Sequence, residues 1–378
     1  MPGFEVIGKE EKDSINKIFS RGNGIMFRHG FEKLRNNQFL VDEFEYRFKK
    51  KFNSKYSLAV TSGTAALRVA IASLNLNHDD EIITQSFTFV ATVEAIIESK
   101  CKPVCTEIDE SYNMCSDDLI KKISNKTKAV IVVHMLGQPA NLQKIKKICK
   151  KFKLILIEDT AWGIGGKFGK KFLGTVGDIG TFSFDFAKTI TTGEGGMILF
   201  KNKKNYISAK AWHDHGHENN RKLNRWEDSR KMSGFNFRMS ELNAAIGLAQ
   251  LKKFNEIFKR HEINKKKILN NIKSYKNFKL PKIPKLSKPA AEALILNLGS
   301  KNKAIEFRKQ LLKHNISTKI LPEATTWHFA GDWEHIKIKN KKFPATERIL
   351  KSSVAIPILF KMKNNFPAII KDIIISLK

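Results

Sequence analysis

The chain has 378 residues, 42% hydrophobic and 10% aromatic, enough for two or three domains around a sizeable core and too apolar for a disordered polymer. Its 68 Lys and Arg against 37 Asp and Glu give a formal net charge of +31, which taken alone points to a nucleic acid or an anionic membrane. The lysines, however, spread along the whole chain, many on the polar side of helical patterns such as Leu142 to Ile148, and no basic run interleaves with aromatics. The expectation is therefore a solvated lysine-rich surface and no nucleic-acid partner. No run approaches the ~20 apolar residues of a membrane span, and Met1 to Glu5 do not open a secretory leader. Cys101, Cys105, Cys115 and Cys149 lack metal-site spacing and read as reduced thiols of a cytoplasmic protein.

Short apolar runs alternate with helical patterns from about residue 56 to 200. Strands are predicted at Tyr56 to Val60, Glu81 to Thr84, Pro103 to Glu107, Ala129 to His134 and Leu154 to Glu158. Between them, helices are predicted at Thr64 to Leu74, Phe89 to Ser99, Leu119 to Ile123 and Leu142 to Phe152. This alternation argues for an α/β fold with a mostly parallel sheet between helices. Ile179 to Phe184 and Gly196 to Phe200 follow as two strands with no long helix between them, so a local reversal is expected. Residues 240–275 read as one long helix that starts near Ser240 and Asn243. After a Pro- and Lys-rich stretch come a strand at Ala293 to Leu298 and helices at Lys303 to His314 and Phe366 to Leu377. The expected organisation is a large α/β domain over residues 1–255, including an N-terminal helical segment, and a smaller α+β domain over 256–378.

Three features carry chemistry. Thr61 to Leu67 sits where a strand turns into a helix; Gly63 permits a tight turn, and the exposed amides could hold a phosphate or simply form a capped helix start. Asp159 ends a parallel strand, at the rim where open α/β sheets bind ligands, and could meet a metal, a ribose or a protonated ring nitrogen. Lys188 lies in an apolar, hydroxyl-rich stretch after a strand, unlike the clustered lysines elsewhere; an amine stripped of water becomes a usable nucleophile. In this order the three meet the needs of a pyridoxal phosphate enzyme: a phosphate anchor, a carboxylate for the pyridinium and a Schiff-base amine.

The chain resembles the DegT/DnrJ/EryC1/StrS family of sugar aminotransferases, within the fold-type I pyridoxal-phosphate enzymes. The motifs are SGTAAL at 62–67, TFVAT at 88–92, EDTA at 158–161, GDIGTFSF at 177–184, Lys188 with TTGEGG at 191–196, and GFNFRMSELNAAIGLAQL at 234–251. The resemblance implies a seven-stranded, mostly parallel sheet, with Lys188 as the Schiff-base lysine and Asp159 as the pyridinium partner. It further implies that Ser62, Gly63, Thr64 and Ser183 surround the phosphate, that Phe89 stacks on the cofactor, and that Asn236 reaches the cofactor of a neighbouring subunit. A homodimer with shared active sites follows. Two departures stand out: Trp162 replaces a residue that is often Gln or His in the family, and Asp185-Phe186-Ala187 precede the lysine.

The resemblance also implies glutamate as amino donor. Two segments are expected at the acceptor: 212–220, with His215 and His217, and 325–335, with Trp327 and His328. The alternating histidines could bind a metal, but nothing else supplies a metal mechanism and no metal is expected. Together with FSFDFAKT, these segments look like the subgroup that aminates the C8 aldehyde of 3,8-dideoxy-8-oxo-manno-octulosonate for lipopolysaccharide. Such a substrate carries a carboxylate, which Arg221, Arg225, Arg230 or Arg238 could pair. The alternatives are a nucleotide-linked keto-hexose acceptor and, from another class, an inactive binding or regulatory protein on the same fold; intact Lys188, Asp159 and Ser183 argue against the last.

Overall fold

The structure, a computed structural model, describes residues 3–220, 222–338 and 341–377. Helices α1 (Lys9–Arg21) and α2 (Leu40–Phe52) lead into strand β1 (Tyr56–Val60), helix α3 (Gly63–Ala72), β2 (Glu81–Gln85), α4 (Val90–Glu98) and β3 (Lys102–Thr106). Then come α5 (Ser116–Lys122), β4 (Thr127–Val133), α6 (Leu142–Lys151), β5 (Ile155–Asp159) and the short strands β6 (Lys167–Phe168) and β7 (Lys171–Phe172). β8 (Ile179–Ser183), β9 (Gly196–Phe200), α7 (Lys203–Trp212) and α8 (Glu241–Ile272) complete the large unit. The chain ends with β10 (Ser287–Lys288), β11 (Ala293–Asn297), α9 (Lys301–Lys313), α10 (Pro344–Lys351), β12 (Ser353–Pro357) and α11 (Phe366–Ser376).

Seven strands form the central sheet in the order β1-β9-β8-β5-β4-β2-β3. Every pairing is parallel except those of β9, which runs antiparallel to both β1 and β8. The expected reversal is thus confined to β9, which returns without a crossover helix. Apart from the edge strand β3, the strands are buried on both faces, as a covered parallel sheet requires. Ala129, Ile131, Ile157 and Ile179 face α3 and α4, while Val130, Val132 and Leu156 face α6. On α6 itself Leu142, Ile145, Ile148 and Cys149 are buried and the intervening lysines exposed. That is the solvated face read from the sequence.

The helix α2 was not read as an element of its own. Its Val41, Phe44, Phe48 and Phe52 recur at helical spacing and are fully buried against Phe182 and Phe184. α8 begins as predicted, with the Ser240 hydroxyl accepting the Asn243 amide at 3.3 Å. It runs unbroken through residues 255 and 256. Its first half packs on the large sheet through Ala244 and Leu248, and its last turns, at Ile268 and Ile272, join β11, β12, α9 and α11 in a second core. No helix among the described residues is long and apolar enough to cross a membrane.

Candidate active site

A cleft of about 410 Å³ opens at the carboxyl ends of β1, β4, β5 and β8, the rim where a parallel sheet presents ligand groups. Register explains its lining. Val133, Asp159 and Thr181 pair across three neighbouring strands, so Asp159 and Thr181 share a face, and Ser183 lies two residues further along that face. Glu158, one residue earlier, must point the opposite way. There it accepts from His134 at 3.0 Å and from the amides of Gly174, Val176 and Gly177 at 3.0, 2.6 and 2.6 Å. His134 accepts the Ala140 amide on Nδ1, so Nε2 carries the proton and donates to Glu158. Burial would raise the Glu158 pKa, but His134 and these amides hold it below the usual carboxylate range. Adjacent acids therefore divide their work: Glu158 ties the strand to the 174–177 turn, and Asp159 faces the cleft.

At one end of the cleft, Ser62 caps α3 by accepting the Ala65 amide at 3.0 Å. The first-turn amides of Gly63 and Thr64 have no carbonyl a turn earlier to bond, which makes them anion donors. A Cβ on Gly63 would stand 2.6 Å from Cβ and 2.9 Å from Oγ of Ser183, so glycine is required for the turn to approach that hydroxyl. At the other end, Asp159 Oδ2 accepts from the Thr92 hydroxyl at 3.0 Å and Oδ1 from the Ala161 amide at 3.1 Å. Burial raises its pKa against these two bonds and the Lys188 charge. A cation within reach of its oxygens would reverse that.

Lys188 lines the same cleft, buried, its Nζ 3.3 Å from the centre of the Trp162 ring. Burial lowers its pKa to about 8; Glu292, Asp185 and Asp159 oppose the shift and Lys319 adds to it. This has a stability consequence. Between about 8 and the free-lysine value of 10.5 the unfolded chain binds more protons, so this group's contribution rises with pH there and is least favourable below it. Lys188→Met is accordingly expected to stabilise the cofactor-free chain at pH 7 by about 1–3 kcal/mol. Denaturant unfolding measures this, and a less stable variant would contradict it.

Phe89 lines the mouth, half-exposed, its ring stacked on Trp327 with centroids 6.2 Å apart and planes within 10°. The C-terminal unit delivers Trp327 and His328: the Thr88 and Val90 amides donate to the carbonyls of His328 and Trp327 at 2.9 and 2.8 Å. His328 lines the cleft, and burial lowers its pKa to about 4, so it is neutral; its buried Nδ1 meets no partner among the described residues. Trp333, by contrast, is core packing.

The remaining candidates lie elsewhere in the chain. Asn236, His215, His217 and Arg238 do not line the cleft. Asn236 and His215 are exposed, and His217 sits with Nδ1 3.4 Å from Asp228. Arg225 binds Asp214 through both terminal nitrogens, at 2.9 and 2.5 Å, and Arg238 binds the same carboxylate. Burial alone would raise the Asp214 pKa; His29, Arg225 and Arg238 more than offset that and hold it well below the usual range. Arg230 is exposed, and Arg221 lies outside the described residues. His213 donates from Nδ1 to the Lys210 carbonyl and meets Arg28 through Nε2, a structural role. Among the described residues no group of three or more His, Cys, Asp or Glu is arranged to hold a metal. Sequence reasoning missed Thr92, although it lies in the quoted TFVAT motif, and also Glu292 and Lys319, whose approach depends on how the C-terminal unit docks.

Pyridoxal phosphate fits this donor set. The α3 amides and the Ser183 hydroxyl form an anion cradle that any Cβ at position 63 would fill, and a buried carboxyl and a partly neutral amine share the same cleft. The chain matches the DegT/DnrJ/EryC1/StrS aminotransferase family over residues 32–374. It is 36% identical to GDP-perosamine synthase of Escherichia coli O157:H7 over 241 residues, 62% of this chain and 65% of that one, just under two thirds of that relative. It is 32% identical to an uncharacterized protein of Methanocaldococcus jannaschii over 343 residues, 85% and 86% of the two chains. The crystal structure of the aminotransferase TlmJ from Streptoalloteichus hindustanus superposes with a TM-score of 0.85 at 20% identity, covering 99% of this chain and 98% of that one, which shows the shared fold. The family match covers most of the chain and all of the cleft residues, and the chain belongs to the DegT/DnrJ/EryC1/StrS aminotransferase family.

Proposed function

We propose that this protein is a pyridoxal-phosphate-dependent sugar aminotransferase that takes an amino group from glutamate and places it on a sugar carbonyl. The observation that carries the reading is the convergence of Lys188, Asp159, Ser183 and the α3 N-terminus on one cleft. Bound there, pyridoxal phosphate supplies an aldehyde for amine exchange and a ring that draws electrons from the donor's Cα. Gly63 and Thr64, through their amides, and Ser183, through its hydroxyl, hold the phosphate. Asp159, oriented by Thr92 and Ala161, holds the proton on the ring nitrogen. Lys188 Nζ would take the proton from the donor's Cα and pass it to the carbon that carries the cofactor's aldehyde, a task suited to an amine whose pKa lies near 8. Phe89 and Trp162 exclude water from the reacting amine.

For the acceptor, we take the C8 aldehyde of 3,8-dideoxy-8-oxo-manno-octulosonate, in lipopolysaccharide biosynthesis, as the first reading. Its support is the character of segments 212–220 and 325–335, the second of which puts Trp327 and His328 at the cleft mouth. A nucleotide-linked keto-hexose is the second reading, favoured by the 36% identity to GDP-perosamine synthase. Exposed Asn236, outside the cleft of its own chain, accords with a homodimer in which it serves the neighbouring site. Four unpaired cysteines, three of them buried, accord with a reducing cytoplasmic setting.

One assay tests both readings. The protein is incubated with glutamate and either the oxidised octulosonate or a panel of keto nucleotide sugars, and 2-oxoglutarate and aminated sugar are quantified. Equal amounts of both products with the octulosonate are expected. Turnover confined to nucleotide sugars would overturn the first reading, and no product with any acceptor would overturn the function.

A further inference from the structure

Trp162, the departure from the family pattern, is shared by two lysines. Lys188 Nζ lies 3.3 Å and Lys319 Nζ 4.2 Å from the centre of its ring. Lys319 also donates to Glu292 at 2.5 Å. Both members of this pair are buried, 6% and 2% exposed. The C-terminal unit carries them. Glu292 immediately precedes β11, and the Lys319 amide donates to the Ala355 carbonyl of β12 at 2.7 Å. The pair is therefore brought to the ring that Lys188 shares by the C-terminal unit.

We infer that the Lys319–Glu292 pair, set against Trp162, controls how readily Lys188 gives up its proton, which makes both residues positioning residues for the transfer. The inference rests on Lys188 being the reactive amine. The physical case is electrostatic. Inside a protein, charges a few ångströms apart act through weak screening, and the apolar indole excludes the water that would strengthen it. Glu292 favours the ammonium form of Lys188 and Lys319 disfavours it, so the two oppose each other. Removing one partner unmasks the other. Among the described residues, Asp185 and Asp159 also favour the ammonium, His328 is neutral, and Glu194 lines the same cleft. A polar residue in place of Trp162 would take its own hydrogen bond to the amine; the indole, which has no acceptor, leaves the pair in control.

The test reads the amine directly. Full-length protein, freed of cofactor, is labelled with acetic anhydride across a pH series, and acetylation of the Lys188 peptide is followed by mass spectrometry. Lys319→Met should move the labelling midpoint up by at least about one unit, so that labelling at a pH below the midpoint falls about tenfold. Glu292→Gln should move the midpoint down, and the double variant should return toward wild type. Lys319→Arg, which keeps the charge, should leave it in place. Unchanged midpoints in both single variants, or shifts in the same direction, would overturn the proposal. Should Lys319→Met fail to fold, Glu292→Gln carries the test alone; failure of both counts against the proposal, because the pair would then be only structural. Borohydride trapping of the loaded wild-type enzyme separates the outcomes. Cofactor found away from Lys188 defeats the functional reading whatever the labelling shows.

Discussion

Lys188→Ala is expected to lower transamination by roughly a thousandfold or more, because in the proposed mechanism one amine both exchanges with the cofactor aldehyde and moves the proton from Cα. The variant should still fold, since the change removes a desolvated ammonium and no hydrogen bond from its side chain is seen to any described residue. It should also still bind pyridoxal phosphate, but reversibly, since the α3 amides, Ser183 and Asp159 remain. Gel filtration would then strip the cofactor from the variant and leave it on the wild type. Turnover within tenfold of wild type would remove Lys188 from the mechanism. The contrast with Lys188→Met stability is informative: the same amine that the proposed chemistry uses is, as an ammonium, a cost to the fold at neutral pH, which is where a functional residue is expected to break the rules of a good core.

The second large effect concerns stability. Glu158→Ala is expected to destabilise the fold by about 3–5 kcal/mol, since it strips a buried carboxylate from His134 and from three backbone amides that have no other partner nearby. Its pKa is held down in the folded state, so its contribution is full above the unfolded carboxylate pKa and is lost as the pH falls through the lower folded value. The difference between wild type and Glu158→Ala in urea unfolding should therefore shrink in acid. A variant as stable as wild type near pH 7 would show that the 174–177 turn does not depend on this anchor.

Much of the large unit was legible in the sequence because its signals are local. Strands buried on both faces read as short apolar runs, and the helices between them show their buried stripes directly, as α6 does with Leu142, Ile145 and Ile148. Asp159 and Lys188 stood out because a carboxylate at a strand end and an unclustered lysine violate the surrounding pattern. The absence of a helix between Ile179–Ser183 and Gly196–Phe200 likewise exposed the antiparallel β9. What escaped depends on contacts between distant parts of the chain. Arg225 and Arg238 looked free to meet a substrate carboxylate, but Asp214, eleven and twenty-four residues away, already holds both. Trp162 stood out only as a departure from the family pattern; with Lys188 and Lys319 on the same ring it gains a role. The spread of basic residues proved less informative than the setting of one of them.

The central claim is that this cleft holds pyridoxal phosphate through Lys188. It is tested most directly by reducing the cofactor-loaded protein with borohydride, digesting it and locating the attached cofactor by mass spectrometry. Loss of the visible absorbance band and a phosphopyridoxyl group on Lys188 are expected. Attachment at another lysine, or no attachment despite saturating cofactor, would contradict it.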